Sequence, residues 1–158
     1  MQLRVGMGFD VHRTGDDDAR PFVLGGVQFP DRPGLVGHSD ADAVAHAAAD
    51  ALLSAAGLGD IGQHFPDTDP AWAGADSIGI LTEACRQVRD AGWVPSNIDC
   101  TVVADEPKIA PHRREMEVRL SAAVGAPVAV KGRRSEGLGA VGRGEGLLCW
   151  AVALLTRP

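Results

Sequence analysis

Nine consecutive apolar residues, Leu147 to Leu155, constrain this chain more than any other segment. A strand sends alternate side chains to opposite faces, so one this apolar offers no face to water. It is expected to lie buried within a sheet or against a neighbouring subunit. The run is well short of the ~18 residues needed to cross a bilayer, and no other apolar stretch approaches that length. The first residues lack a basic-then-apolar signal pattern, which points to a cytoplasmic protein with no membrane partner.

The remaining pattern supplies the elements around that strand. Residues 2–12 and 22–29 read as strands, with Gly15-Asp16-Asp17-Asp18 between them as a solvated loop and Pro30 to Gly37 as a connection after them. Ser39 or Asp40 can cap a helix running through the Ala-rich stretch to about Ala56, where Gly57 and Gly59 stop it. Ile78, Leu81, Cys85 and Val88 recur at helical spacing and end before Gly92. Ile98 to Ala104 reads as a strand. Pro111 opens a further helix with Met116, Leu120 and Ala123 inward, and Val128 to Val130 is a strand. The order is β-β-α-α-β-α-β-β. It predicts a single α/β (α+β-like) domain over residues 1–158, a mixed sheet packed by helices on one face.

At 158 residues and 45% apolar content, the chain can bury a core without cross-links. A formal charge of −6 argues against a nucleic-acid partner, which needs a basic surface. With 4% aromatics and no Tyr, the chain favours close packing of small-residue helices over a base-stacking platform. Cys85, Cys100 and Cys149 are odd in number and scattered, and read as buried small hydrophobes in a reducing compartment.

Chemistry concentrates in a few places. Asp10 and His12 share one face of an extended segment, and His46 from the following helix completes a two-His, one-carboxylate set. Such a set holds a zinc-like ion and leaves positions open for substrate. Similar triads serve non-haem iron oxygenases and hydrolases, so the triad alone leaves the reaction open. His38, Asp42 and His46 follow i, i+4, i+8 spacing and would line one face if the helix began early enough. Gly6-Met7-Gly8 lacks the third glycine of a dinucleotide fingerprint, and its glycines are read as sites of close backbone approach. Asp60, Asp67 and Asp69 lie in a Gly/Pro-punctuated loop, where they serve either turns or substrate hydroxyls. Lys108 follows a strand. In Lys131-Gly132-Arg133-Arg134-Ser135-Glu136, two guanidinium groups and a hydroxyl suit phosphate, and Glu136 suits magnesium.

Taken in order, these segments resemble the 2-C-methyl-D-erythritol 2,4-cyclodiphosphate synthase family. The resemblance rests on Gly8-Phe9-Asp10-Val11-His12, on His38-Ser39-Asp40 with Asp42 and His46, and on Leu58-Gly59-Asp60-Ile61-Gly62 leading into Phe65-Pro66-Asp67-Thr68-Asp69-Pro70. Pro107-Lys108-Ile109 and Gly142-Arg143-Gly144-Glu145-Gly146 complete it, so it covers nearly the whole chain.

That resemblance implies a homotrimer with active sites between adjacent subunits. It implies a lyase of isoprenoid biosynthesis that closes 4-diphosphocytidyl-2-C-methyl-D-erythritol 2-phosphate into the cyclic diphosphate and releases CMP. Asp10, His12 and His46 would hold Zn2+, and Glu136 a second ion, Mg2+ or Mn2+. His38 and Ser135 would be catalytic, with Ser39 and Val11 beside the phosphates. Asp60, Gly62 and Asp67 would hold the methylerythritol hydroxyls, flanked by Ile61, Phe65, Pro66, Thr68 and Asp69. Residues from Ala104 and Asp105 through Glu106, Pro107, Lys108 and Ile109 to Ala110 would line the cytidine pocket. Arg143 and Glu145 would lie near the threefold axis, beside a cavity for an isoprenoid-like phosphate.

The chain departs from the family's usual Ala-Thr-Thr-Thr-Glu at Gly132-Arg133-Arg134-Ser135-Glu136, where Ser135 keeps the last hydroxyl. A family aromatic near the final Gly-rich motif is Ala140 here. One alternative is therefore a non-catalytic trimer that binds metal and nucleotide, diverged at Arg133-Arg134.

Overall fold

The computed structural model describes residues 1–16 and 20–158. Asp17 and Asp18 of the expected acidic loop fall outside the described residues. In chain order the strands are β1 (Gln2–Arg13), β2 (Phe22–Leu24), β3 (Val27–Phe29), β4 (Val94–Val103), β5 (Val128–Arg133) and β6 (Gly146–Arg157). The helices are α1 (Ala43–Ala56), α2 (Ile61–His64), α3 (Ser77–Asp90), α4 (Arg113–Val124) and α5 (Gly139–Gly142), with a 3-10 turn at Pro70–Trp72.

The apolar run from Leu147 sits in β6, between β1 and β4 in a sheet of order β1-β6-β4-β5. Only β4 and β5 run parallel, so the sheet is mixed as expected. The inward residues Leu147, Cys149, Ala151, Ala153 and Leu155 are buried under the helices. The alternate face is open. On it lie Trp150 and Val152, with Leu3, Val5, Met7, Phe9 and Val11 of β1 beside them, all exposed.

α1 lies on β1 and β6, and its small side chains explain how closely. Of its 14 residues, eight are Ala, and it is buried on nearly every side. A Cβ on Gly6 would fall 2.3 Å from the Ala51 carbonyl oxygen, and one on Gly8 would fall 2.1 Å from that of Ala47. The glycine pair thus lets a helix backbone rest on a strand backbone, the close approach expected from Gly6-Met7-Gly8. α3 packs on α1 with Ile80, Leu81, Ala84, Cys85 and Val88 buried, and α4 covers β5 with Met116, Leu120 and Val124.

Several boundaries differ from the sequence reading, three of them near the site or at a turn. Residues 22–29 form a two-strand hairpin in its own small sheet, because Gly25 (φ 58°) and Gly26 (φ 74°) turn the chain back. α1 begins at Ala43 with Asp42 as its cap, so His38 and Asp42 do not share a helical face with His46. α4 begins at Arg113, two residues past Pro111. The loop after α1 also contains α2 and the 3-10 turn, capped by Asp60 and Asp69.

Candidate metal centre and substrate cavities

Asp10 and His12 project from the same face of β1, and His46 reaches them from the first turns of α1. Their donor atoms form a triangle. His12 Nε2 is 2.9 Å from Asp10 Oδ2, His46 Nδ1 is 3.0 Å from the same oxygen, and the two nitrogens are 3.2 Å apart. Arms of about 2.0–2.1 Å in tetrahedral geometry give edges of about 3.3 Å, so the triangle fits one face of a zinc tetrahedron, its fourth corner open. Among the described residues it is the one cluster of three or more such groups close enough to share an ion.

The surroundings tune these ligands. His12 Nδ1 lies 2.7 Å from the Val36 carbonyl, to which it donates, so its Nε2 lone pair is turned to the triangle. Burial alone would raise the Asp10 carboxyl, yet the imidazoles of His12 and His46 beside it outweigh it and hold it well below the usual carboxylate range. Burial would lower His12, but Asp10 and the Val36 carbonyl outweigh it and raise the imidazole. Cys149, the cross-strand partner of Asp10, is fully buried and is not among the residues of this cluster; burial pushes its thiol up.

The triangle forms the floor of a cavity of about 260 Å³. His38 and Ser39 also line it, with Ile61, Gly62, Phe65 and Asp67. Asp60 caps α2, donating nothing to the cavity but accepting from the Gln63 N–H at 3.0 Å. Asp69 likewise accepts from the Ala71 N–H, and its carbonyl takes a hydrogen bond from His38 Nε2 at 3.0 Å. Val11, Pro66 and Thr68 do not line this cavity. Val11 faces another groove, shared with Ala140, Val141 and Glu145.

A second cavity, of about 680 Å³, is lined by the segment from Ala104 through Ala110 with Arg133 and Arg134. It shares no residue with the first. Ser135 donates its hydroxyl and backbone N–H to Asp105, which fixes the turn after β5. Glu136 follows with φ 55°, a left-handed backbone that turns this exposed residue out of the strand direction. Arg143 pairs with Glu145 beside a third groove. Within one chain, then, Asp10, His12, His38, Ser39 and His46 come together, while the Ala104–Ala110 segment and Arg133 to Glu136 gather elsewhere.

Residues 3–156 match the YgbB family. The 2-C-methyl-D-erythritol 2,4-cyclodiphosphate synthase of Bordetella petrii is 54% identical, the match covering 98% of this chain and 96% of that one. The chain belongs to this synthase family. A solved cyclodiphosphate synthase in its CDP-bound form superposes with TM-score 0.86 at 41% identity, covering 97% of this chain and all of that one. The bifunctional IspDF of Campylobacter jejuni gives TM-score 0.93 at 38% identity over 99% of this chain, which spans 43% of that longer protein.

Membership in the synthase family leaves several neighbours of the site that sequence reasoning passed over. Trp72 and Ile80 line the first cavity, and Trp72 stacks edge-on against Phe65 at 4.9 Å. Arg20 donates to the Gly37 carbonyl at 2.9 Å and to that of Ser39, holding the loop that carries His38. Asp50 accepts from the N–H groups of Phe9 and Ile61, tying β1 to α2. The only signal for Arg20 was a charge beside Pro21, which reads as an ordinary loop residue. No helix of the described residues is long and apolar enough to cross a membrane.

Proposed function

We propose that the protein cyclises 4-diphosphocytidyl-2-C-methyl-D-erythritol 2-phosphate to 2-C-methyl-D-erythritol 2,4-cyclodiphosphate, releasing CMP. The convergence of Asp10, His12 and His46 beneath His38 and Ser39, in a chain of the synthase family, carries this reading. The substrate's 2-phosphate oxygen attacks the β-phosphorus, the bond from that phosphorus to the bridging oxygen breaks, and CMP leaves with that oxygen. No protein nucleophile takes part, so catalysis is positioning and charge neutralisation.

Zn2+ on the triad and Mg2+ or Mn2+ on Glu136, where one carboxylate suffices because substrate phosphates supply further oxygens, would neutralise charge on the transferring phosphates. His38 and Ser39 donate to phosphate oxygens from the cavity lining. Asp67 and the Gly62 backbone receive the methylerythritol hydroxyls, with Asp60 capping the helix that carries Gly62, and Phe65 and Trp72 exclude water. The Ala104–Ala110 cavity takes the cytidine diphosphate, with Lys108, Arg133 and Arg134 facing its charge. Ser135 orients the phosphate at transfer.

Because the two cavities share no residue, the reading assigns each active site to two adjacent subunits of a homotrimer. The exposed apolar faces of β1 and β6 supply the contact surface. A cavity near the threefold axis beside Arg143 would take an isoprenoid-like phosphate. Three free, buried cysteines accord with a cytoplasmic setting.

The alternative, a trimer that binds metal and nucleotide without turnover, draws on Arg133 and Arg134. Against it, both arginines lie exposed at the rim and leave the second cavity about 680 Å³. The deciding experiment measures CMP and cyclic diphosphate formed with zinc and magnesium, alongside His46→Ala. Metal-dependent release lost in His46→Ala is the expected outcome; bound CDP and zinc with no CMP would establish the alternative.

A further inference from the structure

The two ring nitrogens of His46 face different surroundings. Nδ1 points into the metal triangle. Nε2 points away from it, 2.8 Å from Ser77 Oγ and 3.0 Å from Ser39 Oγ. Ser77 is completely buried at the first residue of α3, and Ser39 is only 6% exposed. Behind Ser77 lies Asp40. The Ser77 hydroxyl donates to Asp40 Oδ1, and its backbone N–H reaches Oδ2 at 3.2 Å. The Asp42 N–H donates to Oδ1 as well, at 3.2 Å.

Three donors converge on Asp40, so it acts as a carboxylate, which only accepts. The single hydroxyl proton of Ser77 is therefore committed to Asp40, and Ser77 Oγ meets His46 as an acceptor. Nε2 must then carry the ring proton. Nδ1 is left with a lone pair 3.0 Å from Asp10 Oδ2, itself an acceptor. Two acceptors this close are mismatched unless a cation lies between them.

We propose that Asp40 and Ser77 are positioning residues for metal binding: they lock His46 as the Nε2–H tautomer and so present Nδ1 to the ion. This rests on the metal reading of the Asp10–His12–His46 triangle. A purely structural role is the competing explanation, since the same bonds fasten the loop after β3 to the start of α3. The two differ in what an isosteric change does. Asp40→Asn keeps the shape but offers one acceptor for Ser77's two donors, which frees the hydroxyl proton to turn toward Nε2.

The test pairs a competition titration of zinc against a chromophoric chelator with imidazole nitrogen shifts of the metal-free parent at mildly alkaline pH. Zinc affinity should fall roughly 10–100-fold in Ser77→Ala and in Asp40→Asn, the range typical for partners that orient a ligand. His46 of the parent should show its proton on Nε2. Parent-like zinc affinity in both folded variants, or a proton on Nδ1, overturns the proposal. Should either variant fail to fold, the parent's tautomer decides alone. A parent that binds no zinc removes the metal reading instead, and the tautomer measured on the same sample still shows whether the Asp40–Ser77 lock exists.

Discussion

Asp42 shows how much one buried carboxylate can hold together. It is wholly buried and accepts from Gly25 and Gly26 at 2.8 and 2.6 Å, and from Val44 and Ala45 at 3.0 and 3.1 Å. Burial pushes its carboxyl up, and the N–H groups oppose that shift. The residue caps α1 and anchors the β2–β3 turn to it, one helical turn before His46. Asp42→Ala should cost about 3 kcal/mol in urea unfolding, from a lost cap and backbone donors left without partners. Arg134 presents a different balance. It is exposed, with Nε 3.7 Å from Asp105, and this weak surface pair can be given up to an incoming phosphate. Arg134→Thr should raise KM and weaken CDP binding several-fold with kcat nearly unchanged; higher turnover instead would mean that the arginine obstructs the pocket. At this scale Asp10 and His12 were legible because strand periodicity alone puts them on one face. His38 was named too, but for a helical spacing that the structure does not keep: a loop held by the remote Arg20 sets its place.

The seating of α1 on β1 turns on two glycines whose missing side chains are the interface. Gly8→Ala would drive a methyl group into the Ala47 carbonyl and displace the helix that carries His46. Overpacking of this kind costs about 3 kcal/mol or more when the obstacle is backbone. Zinc affinity should fall with stability, both measurable on the purified variant. Gly79→Ala is the internal control: it lies exposed in α3, and an added Cβ meets nothing within 4 Å. That change should stabilise by about 0.5–1 kcal/mol, since glycine in a helix interior costs conformational entropy. Equal effects of the two substitutions would contradict this account of the α1–β1 contact. The helices and the central strand could be read from periodicity because their burial is one-sided or complete. The hairpin at 22–29 was read as a single strand: its apolar residues continue across Gly25-Gly26, and only the turn geometry separates the halves. The start of α1 was placed early because Ser39, Asp40 and Asp42 are all competent caps. The bond partners select Asp42.

In the molecule as a whole, the proposed trimer would account for both the open face of the sheet and the split between cavities. Met7 lies opposite Val152 and Phe9 opposite Trp150, the latter rings 5.1 Å apart, and all four side chains are exposed on a single chain. In the proposed trimer, an apolar stripe of this extent on a strand pair would be the contact surface. The composition of Leu147–Leu155 foretold a strand at the centre of the sheet, while the geometry of any partner is not encoded in a local pattern. If the sheet faces assemble a trimer, Val152→Glu puts three like charges into a closed interface and should yield monomers in sedimentation experiments. The metal triangle lies wholly within one chain, so the monomer should still bind zinc with affinity close to the parent's. It should release no CMP, because the nucleotide cavity and the triangle that must act on one substrate no longer meet. Retained turnover in a monomeric variant would show that one chain brings both cavities to the same substrate, and the shared-site reading would fall while the metal site stood. Loss of zinc with loss of assembly would show instead that the interface, not Asp42 and the glycines beneath α1, holds the triangle in place.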